Sequence, residues 1–424
     1  MANSFSKEER VAFDQLLAGF QDALVLSSNV SIYNTDQAMM ERTNDTIWRP
    51  QPYIAVSYQG TDMSANFDDY TQLAVPAQIN RTHGVPWVMT AKELRDPQQE
   101  GRLYDAAKQR LASDINLAVM NVAAFQGTLF VKRASAASGF DDLAQADAIM
   151  NEQGVMDSDR YMALSSRDYN GMANNLAAVT RTFGNNISDP ALRRAYVGPL
   201  ASFETYKLDY AVRKAAAAGG AGITMDTRAS AGNYWVPRAT SVAVTGEVSN
   251  VDNRRQVITV SATANVAPGD AFTIANCEAL HHITKGGTGA LKTFRVISVP
   301  SGTTLEISPP IISNQGGSDA EAQYQNVAFT STASNAAIVF LNTAANFMNP
   351  FWHKDSIEIL PGRYAVPSDA GAAVMRGSTD QGIELVMSKQ FDIDNLKVKY
   401  RVDTVFGVVN KQPQMSGVMM FSQP

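Results

Sequence analysis

One cysteine and four histidines in 424 residues leave little material for redox or metal chemistry. Cys277 has no intrachain partner, so no disulfide framework holds this fold, and a reducing compartment fits. Charge is also sparse. Only 18% of residues are Asp, Glu, Lys or Arg, and the formal net charge is -6. A dedicated nucleic-acid binder needs a basic footprint to neutralise phosphates, and this balance argues against one. It still permits lying near DNA without gripping it. No run of about 18 apolar residues occurs, so no membrane span is expected. The opening MANSFSKEERVAFDQLLAGF lacks an unbroken apolar segment, so no secretory signal is expected either. Sequons such as Asn44-Asp45-Thr46 then read as chance.

Hydrophobic residues are plentiful at 45%, enough for a sizeable core, and the length suits two or three domains. Low charge with much apolar content has two readings. One is a large compact enzyme. The other is a protein whose surface is covered by its neighbours.

The first ~26 residues read as an amphipathic helix, with Phe13, Leu16, Leu17 and Phe20 at helical spacing. Ser6 and Glu9 have the spacing of a capping box. The polar break SSNVSIYNTD follows, which suggests an arm that docks on something else. Residues 50–90 are rich in Pro, Gln, Asn and Thr with scattered aromatics, and an extended hairpin suits them better than a helix. Between Pro97 and Gly127, Leu103, Ala107, Leu111, Ile115, Ala118, Val122 and Phe125 step by three or four. Proline near the start and glycine at the end punctuate one long helix, a spine. Its charges (Arg102, Lys108 and Arg110 against Glu100, Asp105 and Asp114) read as a solvated face.

Residues 141–222 alternate helix-like pieces, among them DPALRRAYVG, with apolar runs such as RYMALS, an α+β texture closed by the small-residue linker KAAAAGGAGITM. From about 223 to 345 the texture changes. QVITVSAT, DAFTIA, KTFRVISV and TTLEISP are short β-rich runs separated by turns, the pattern of a small barrel or sandwich. The tail LKVKYRVDTVFGVVN alternates, with Leu396, Val398, Tyr400 and Val402 on one side and Lys397, Lys399, Arg401 and Asp403 on the other. It reads as a long half-buried strand in a hairpin with GIELVMSKQF.

Candidate chemistry is thin. His83, His281, His282 and His353 do not combine with Cys277 into the three or four ligands a zinc site needs. KGGTGALKT has Leu291 where a phosphate loop needs glycine, so a hairpin loop is expected. No Gly-x-Ser-x-Gly elbow occurs, and the Phe-Asp-Asp pairs at 67–69 and 140–142 suit turns or helix starts. Trp48, Trp87, Trp235 and Trp352 read as core or contact anchors. No catalytic, cofactor or metal residue is assigned.

The ordered series of segments resembles the major coat proteins of short-tailed phages of the Salmonella phage type, which share the Hong Kong-phage capsid fold. MERTNDTIWRP (40–50), ELRDPQQEGRLYDAAKQRLASDINLAVMNVAAFQGTLFV (93–131), NVDNRRQVITVSAT with PGDAFTI, AEAQYQNVAFTSTASNAAIVFLN (320–342) and NPFWHKDSIEIL (349–360) carry the likeness. The resemblance implies an α+β tailed-phage capsid fold with an inserted all-β barrel. Its parts would be an N-terminal arm (1–40), an extended loop region (41–90), a peripheral domain (91–140, spine helix 97–127), an axial domain (141–222), the barrel (223–345), an axial return (346–395) and a peripheral strand with the C-terminus (396–424). It implies a structural protein, not an enzyme, which self-assembles into pentamers and hexamers of a closed icosahedral shell in the host cytoplasm. A scaffolding protein would direct assembly, a portal protein would occupy one vertex, and the procapsid would expand as double-stranded DNA is packaged. In that family a loop of the insertion reaches the neighbouring capsomer; here the matching stretch is VTGEVSNVDNRRQ (244–256). Glu247, Asp252, Arg254 and Arg255 become candidate inter-subunit contacts, with Trp48 and Arg49 of the Thr-Ile-Trp segment. The alternatives are an enzyme with an accessory β domain, or a tail or adhesin component.

Overall fold

The computed structural model describes residues 5–33, 45–64, 67, 69–90, 93, 97–179, 197–208, 210–219, 222–225, 233–329, 335–365 and 372–424. Most of the helix-like DPALRRAYVG therefore lies outside the described residues. The chain forms two compact units. One comprises Met1–Ile47, Ala77–Met120 and Ile357–Val409; the other comprises Trp48–Pro76, Asn121–Ser356 and Asn410–Pro424.

In the first unit, Lys397–Asn410 is the central strand of a six-stranded sheet. Glu384–Asp392 pairs antiparallel along one side and Arg81–Thr90 along the other. Val398, Tyr400 and Val402 are buried while Lys397, Lys399 and Arg401 are exposed, as the alternation predicts. The two ends of the predicted pattern differ. Leu396 sits in the preceding turn at φ 49° and is exposed. Asp403 is buried, with Arg401 Nε donating to its carboxylate at 2.6 Å. From there both faces of the strand are covered, so continuous burial replaces alternation.

The N-terminal helix, Lys7–Ala23, starts in the predicted capping box. Glu9 N donates to Ser6 Oγ at 3.2 Å, and Ser6 N donates to Glu9 Oε2 at 2.8 Å. Phe13, Leu16 and Phe20 are buried. The surface they cover belongs to this same chain: a Cβ on Gly377 would lie 2.8 Å from Leu17 Cδ2, so the helix packs closely on the Ala373–Ser378 strand. Glu9 also accepts from Lys389 Nζ and from Tyr400 Oη. Burial works to raise the Glu9 carboxyl, but the hydrogen bonds from Lys389 and Ser6 outweigh it and hold it below its ordinary range.

The long helix runs Pro97–Gln126, 30 residues, or ~45 Å at ~1.5 Å per residue. Of the predicted stripe, Ala107, Leu111, Ile115, Ala118 and Val122 are buried, while Leu103 and Phe125 are half-buried. Asp105–Lys108 and Arg110–Asp114 pair at 2.9 and 3.0 Å on the wet face. The buried Asn116 closes the end of the N-terminal helix, donating to Ala23 O at 3.0 Å and accepting from Leu26 N at 3.2 Å. Trp87 stacks on Tyr400 at 5.6 Å and meets Tyr104 edge-on at 5.5 Å, pinning helix to sheet.

The second unit holds two β assemblies. A five-stranded mixed sheet runs in the order Leu129–Lys132, Ser416–Met420, Asn349–His353, Arg160–Ser165, Phe203–Leu208. Its core gathers Leu143 and Met150 from helix Phe140–Glu152, Met172 from helix Ser166–Val179, and Met162, Phe203, Phe351 and Met419 from the strands. The other assembly is the predicted β-rich region. Its strands run Gln256–Thr259, Thr304–Ser308, Gly287–Ser301, Ala271–Leu280, Ala336–Phe340, Thr224–Met225. A Met225–Val260 bridge and the bond Ser261 N to Thr224 O at 2.8 Å close the ring, so it is a barrel and not a sandwich. Ile258, Phe272, Ile274, Cys277, Phe294, Val296, Leu305 and Ile307 fill it.

Towards the C-terminus the units divide after Ser356 and after Val409. Ile357–Pro361 is as apolar as Asn349–His353 but joins the first unit's sheet, and Ser416–Met420 joins the second unit's sheet. Fully buried strands all read alike, and only their pairing separates them.

Candidate subunit contact surface

Thr240–Val242 and Val248–Asn250 form a separate two-stranded hairpin, with Thr240 opposite Asn250 and Val242 opposite Val248. Its turn is built by Gly246 at φ 84° and by bonds from Ala243 N to Glu247 O and from Gly246 N to Ala243 O, both 2.8 Å. Val242, Val244 and Val248 are 69%, 109% and 63% exposed. Three valines largely presented to water are a poor choice for a free surface and a good one for a surface that becomes covered. Glu247 stands exposed in the same turn.

Asp252 and Arg254 turn inward. Arg254 is 8% exposed and pairs with Asp252 at 2.8 Å. Its Nη1 donates to Asn410 O at 2.7 Å. Burial works to raise the Asp252 carboxyl, but Arg254 overrides it and holds it low. Arg255 is half-exposed and lies 3.7 Å from Glu306. Trp48 and Arg49 are half-buried on strand Ile47–Pro50, which pairs with Ala74–Ala77. Of the six candidates, the fold thus presents Glu247 outward, gathers Asp252 and Arg254 into an internal pair, and leaves Arg255, Trp48 and Arg49 in between.

Between strands Ile47–Pro50 and Ala74–Ala77 the described residues run without helix or strand and carry exposed aromatics: Tyr53, Tyr58, Tyr70 and, at 87%, Phe67. With Ala322 and Gln323 of the short helix Asp319–Tyr324, Tyr58, Phe67 and Tyr70 line a cleft of about 480 Å³.

Strand Gly287–Ser301 carries several of the bonds that dock the barrel on its host. Thr293 Oγ1 donates to Thr128 O at 2.8 Å, and Arg295 Nη2 donates to Ala124 O near the end of the long helix. Lys292 Nζ donates to Gln153 Oε1 at 2.6 Å and to Gln414 Oε1 at 2.7 Å. Lys292 is 1% exposed and Arg295 is fully buried over the Phe130 ring. Burial pushes Lys292 down to about 7 and Arg295 down to about 10. Nearby, Asp270 accepts from Lys214 and from Asn342, each at 3.0 Å. Sequence reasoning missed this seam. In the sequence, Arg295 alternates with the core residues Phe294 and Val296 and reads as an outward strand position, while Lys292 shares their parity; neither spacing shows that a second protein surface covers them.

The remaining sequence candidates have structural work. His281 Nδ1 accepts from Ile283 N and Thr284 N, both at 3.2 Å, which shapes the turn before strand Gly287–Ser301. His83 stacks on Phe406. Asp142 starts its helix, accepting from Ser138 N at 2.7 Å and pairing with Arg133 at 2.6 Å.

Solved structures similar to this chain include one titled "Mycobacterium phage Che8", 10% identical over 92% of this chain and 88% of that one, with a TM-score of 0.41. Another is "Capsid structure of the Cyanophage P-SCSP1u", 10% identical over 93% and 86%, with a TM-score of 0.43. A third, "CUS-3 coat protein I-domain", is 38% identical over 29% of this chain and 97% of that one, with a TM-score of 0.22. A family model described as "P22 coat protein - gene protein 5" matches residues 1–422, which takes in the hairpin, the barrel and both host sheets. By that match the chain belongs to the P22 coat protein family, structural proteins that form the capsid of the phage virion.

Proposed function

We propose that this coat protein builds its shell from five-fold and six-fold clusters of its own copies, and that the Thr240–Asn250 hairpin is the element that touches the next cluster. The exposure of Val242, Val244 and Val248 around Glu247 carries this reading. Each contact is small, and repetition around a closed shell makes the sum strong. The first unit serves as the peripheral domain and N-terminal arm. The second serves as the axial domain with the inserted barrel, the barrel bracing its host through Lys292, Thr293 and Arg295. The outward face of the N-terminal helix is offered to a scaffolding protein, since its apolar face is already occupied. A portal protein replaces one cluster, and the net charge of -6 suits an interior that holds packaged double-stranded DNA without adhering to it as the shell expands.

The test replaces Val242–Val248 with a two-residue turn. The variant should keep the melting temperature of the parent, because the hairpin contributes no core residue. With scaffolding protein, its yield of closed particles should fall about tenfold or more. Normal particles at parental yield would remove the hairpin from the contact.

A further inference from the structure

A lone two-stranded hairpin is marginal in water, so its direction has to come from its base. That base is unusually well bonded. Asn253 donates through Nδ2 to Arg238 O at 2.9 Å and to Val251 O at 3.2 Å. Its Oδ1 accepts from Trp235 Nε1 at 3.1 Å and from Arg238 N at 3.2 Å. One amide therefore clamps both legs of the hairpin. On one side of it, Asp252 makes a parallel bridge to Ala74, at the root of the extended segment. On the other, Arg254 reaches Asn410 O at 2.7 Å and Pro76 O at 3.5 Å.

The segment's other root is held in the same place. Gln51 N donates to Leu73 O at 2.8 Å, and Gln51 Nε2 donates to Lys411 O at 2.6 Å. Leu73, Ile312 and Tyr324 form a small buried cluster against which Ile54 and Trp235 pack. Tyr324 Oη donates to Thr71 O at 2.8 Å. Trp235 thus belongs at once to the hairpin base and to the apolar cluster under the segment.

We infer that Asp252, Asn253 and Arg254 form a bracket that holds the hairpin and the roots of the extended segment as one rigid body, so that a neighbouring copy engaging the hairpin also sets the direction in which the segment leaves. The bracket is intramolecular and stands by itself. Its consequence for assembly rests on the proposed hairpin contact, and the experiment separates the two by using unassembled protein. Nitroxide labels at Ala55→Cys and Thr245→Cys, both exposed positions, report the segment–hairpin distance by pulsed electron resonance, with Cys277 left buried and unlabelled. The parent should give one narrow distance distribution. Arg254→Met should at least double its width, with the melting temperature of the barrel retained. If Arg254→Met does not fold, Asn253→Ala and Asp252→Ala decide, and each should broaden the distribution. A broad distribution in the parent overturns the bracket, as does an unchanged width in the folded variants. A bracket confirmed here together with normal assembly of the hairpin-replaced protein would refute only the contact.

Discussion

Lys292 is a buried amine whose two hydrogen-bond acceptors are the neutral amide oxygens of Gln153 and Gln414. Burial lowers it from 10.5 to about 7, with Lys285 adding to the depression and Cys277 opposing it. The unfolded chain therefore binds more protons than the native one between about pH 7 and pH 10.5, and native stability rises with pH across that window. Below pH 7 both states carry the charge, and the full cost of burying it is present. Chemical denaturation of the parent between pH 7 and 9 should show stability climbing by about 1 kcal/mol per pH unit from this group. Lys292→Met should flatten the climb and be the more stable protein at pH 6, since a charge without a carboxylate partner is replaced by a packed apolar chain. A parental slope retained in Lys292→Met would show that another group titrates. Gly417 gives a second test at this scale. A Cβ there would lie 2.5 Å from Leu129 O and 2.6 Å from Phe351 Cζ, in the middle of the five-stranded sheet. Gly417→Ala should cost about 3 kcal/mol by overpacking, read as a drop in denaturation midpoint; a loss near zero would mean that the sheet yields there.

Among the elements, the N-terminal helix shows how much local chemistry decides. Its start is set by Ser6 and Glu9, its buried face by Phe13, Leu16 and Phe20, and its end by Asn116 from the long helix. Ser6→Ala should cost about 1 kcal/mol, measured by denaturation, and should raise hydrogen exchange first at Arg10 and its neighbours. Exchange unchanged in that turn would mean that tertiary packing alone holds the helix. The capping box, the long helix, the alternating strand and the barrel strands are all legible in the sequence, because each is written in spacing or turn residues. What spacing cannot express is which surface an element meets. The helix reads as an arm seeking a partner, yet its partner is its own sheet. Asp252 and Arg254 stand as candidate inter-subunit contacts; nothing in their spacing shows that they pair with each other or that Arg254 reaches a carbonyl 156 positions away. Arg295 reads as an outward strand residue, yet it satisfies Ala124 O, 171 positions away. Glu247 is the exception, because a hairpin tip is exposed for local reasons.

For the whole molecule, two readings of the composition were open: a compact enzyme, or a subunit covered by its fellows. Family membership across residues 1–422 places the chain in the second class, as a structural protein of a phage capsid. The low charge density follows from that role, since surface destined for burial carries apolar and neutral polar groups. Among the described residues, the two most exposed large hydrophobics, Val244 and Phe67, lie outside any core of the subunit: one on the barrel's hairpin, the other on the extended segment. The most direct measurement is a cryo-electron-microscopy map of particles assembled with scaffolding protein. The account predicts Val242, Val244 and Val248 packed against a neighbouring copy, with Glu247 beside a basic group of that copy. A map in which the 240–250 hairpin faces solvent in every subunit would contradict it.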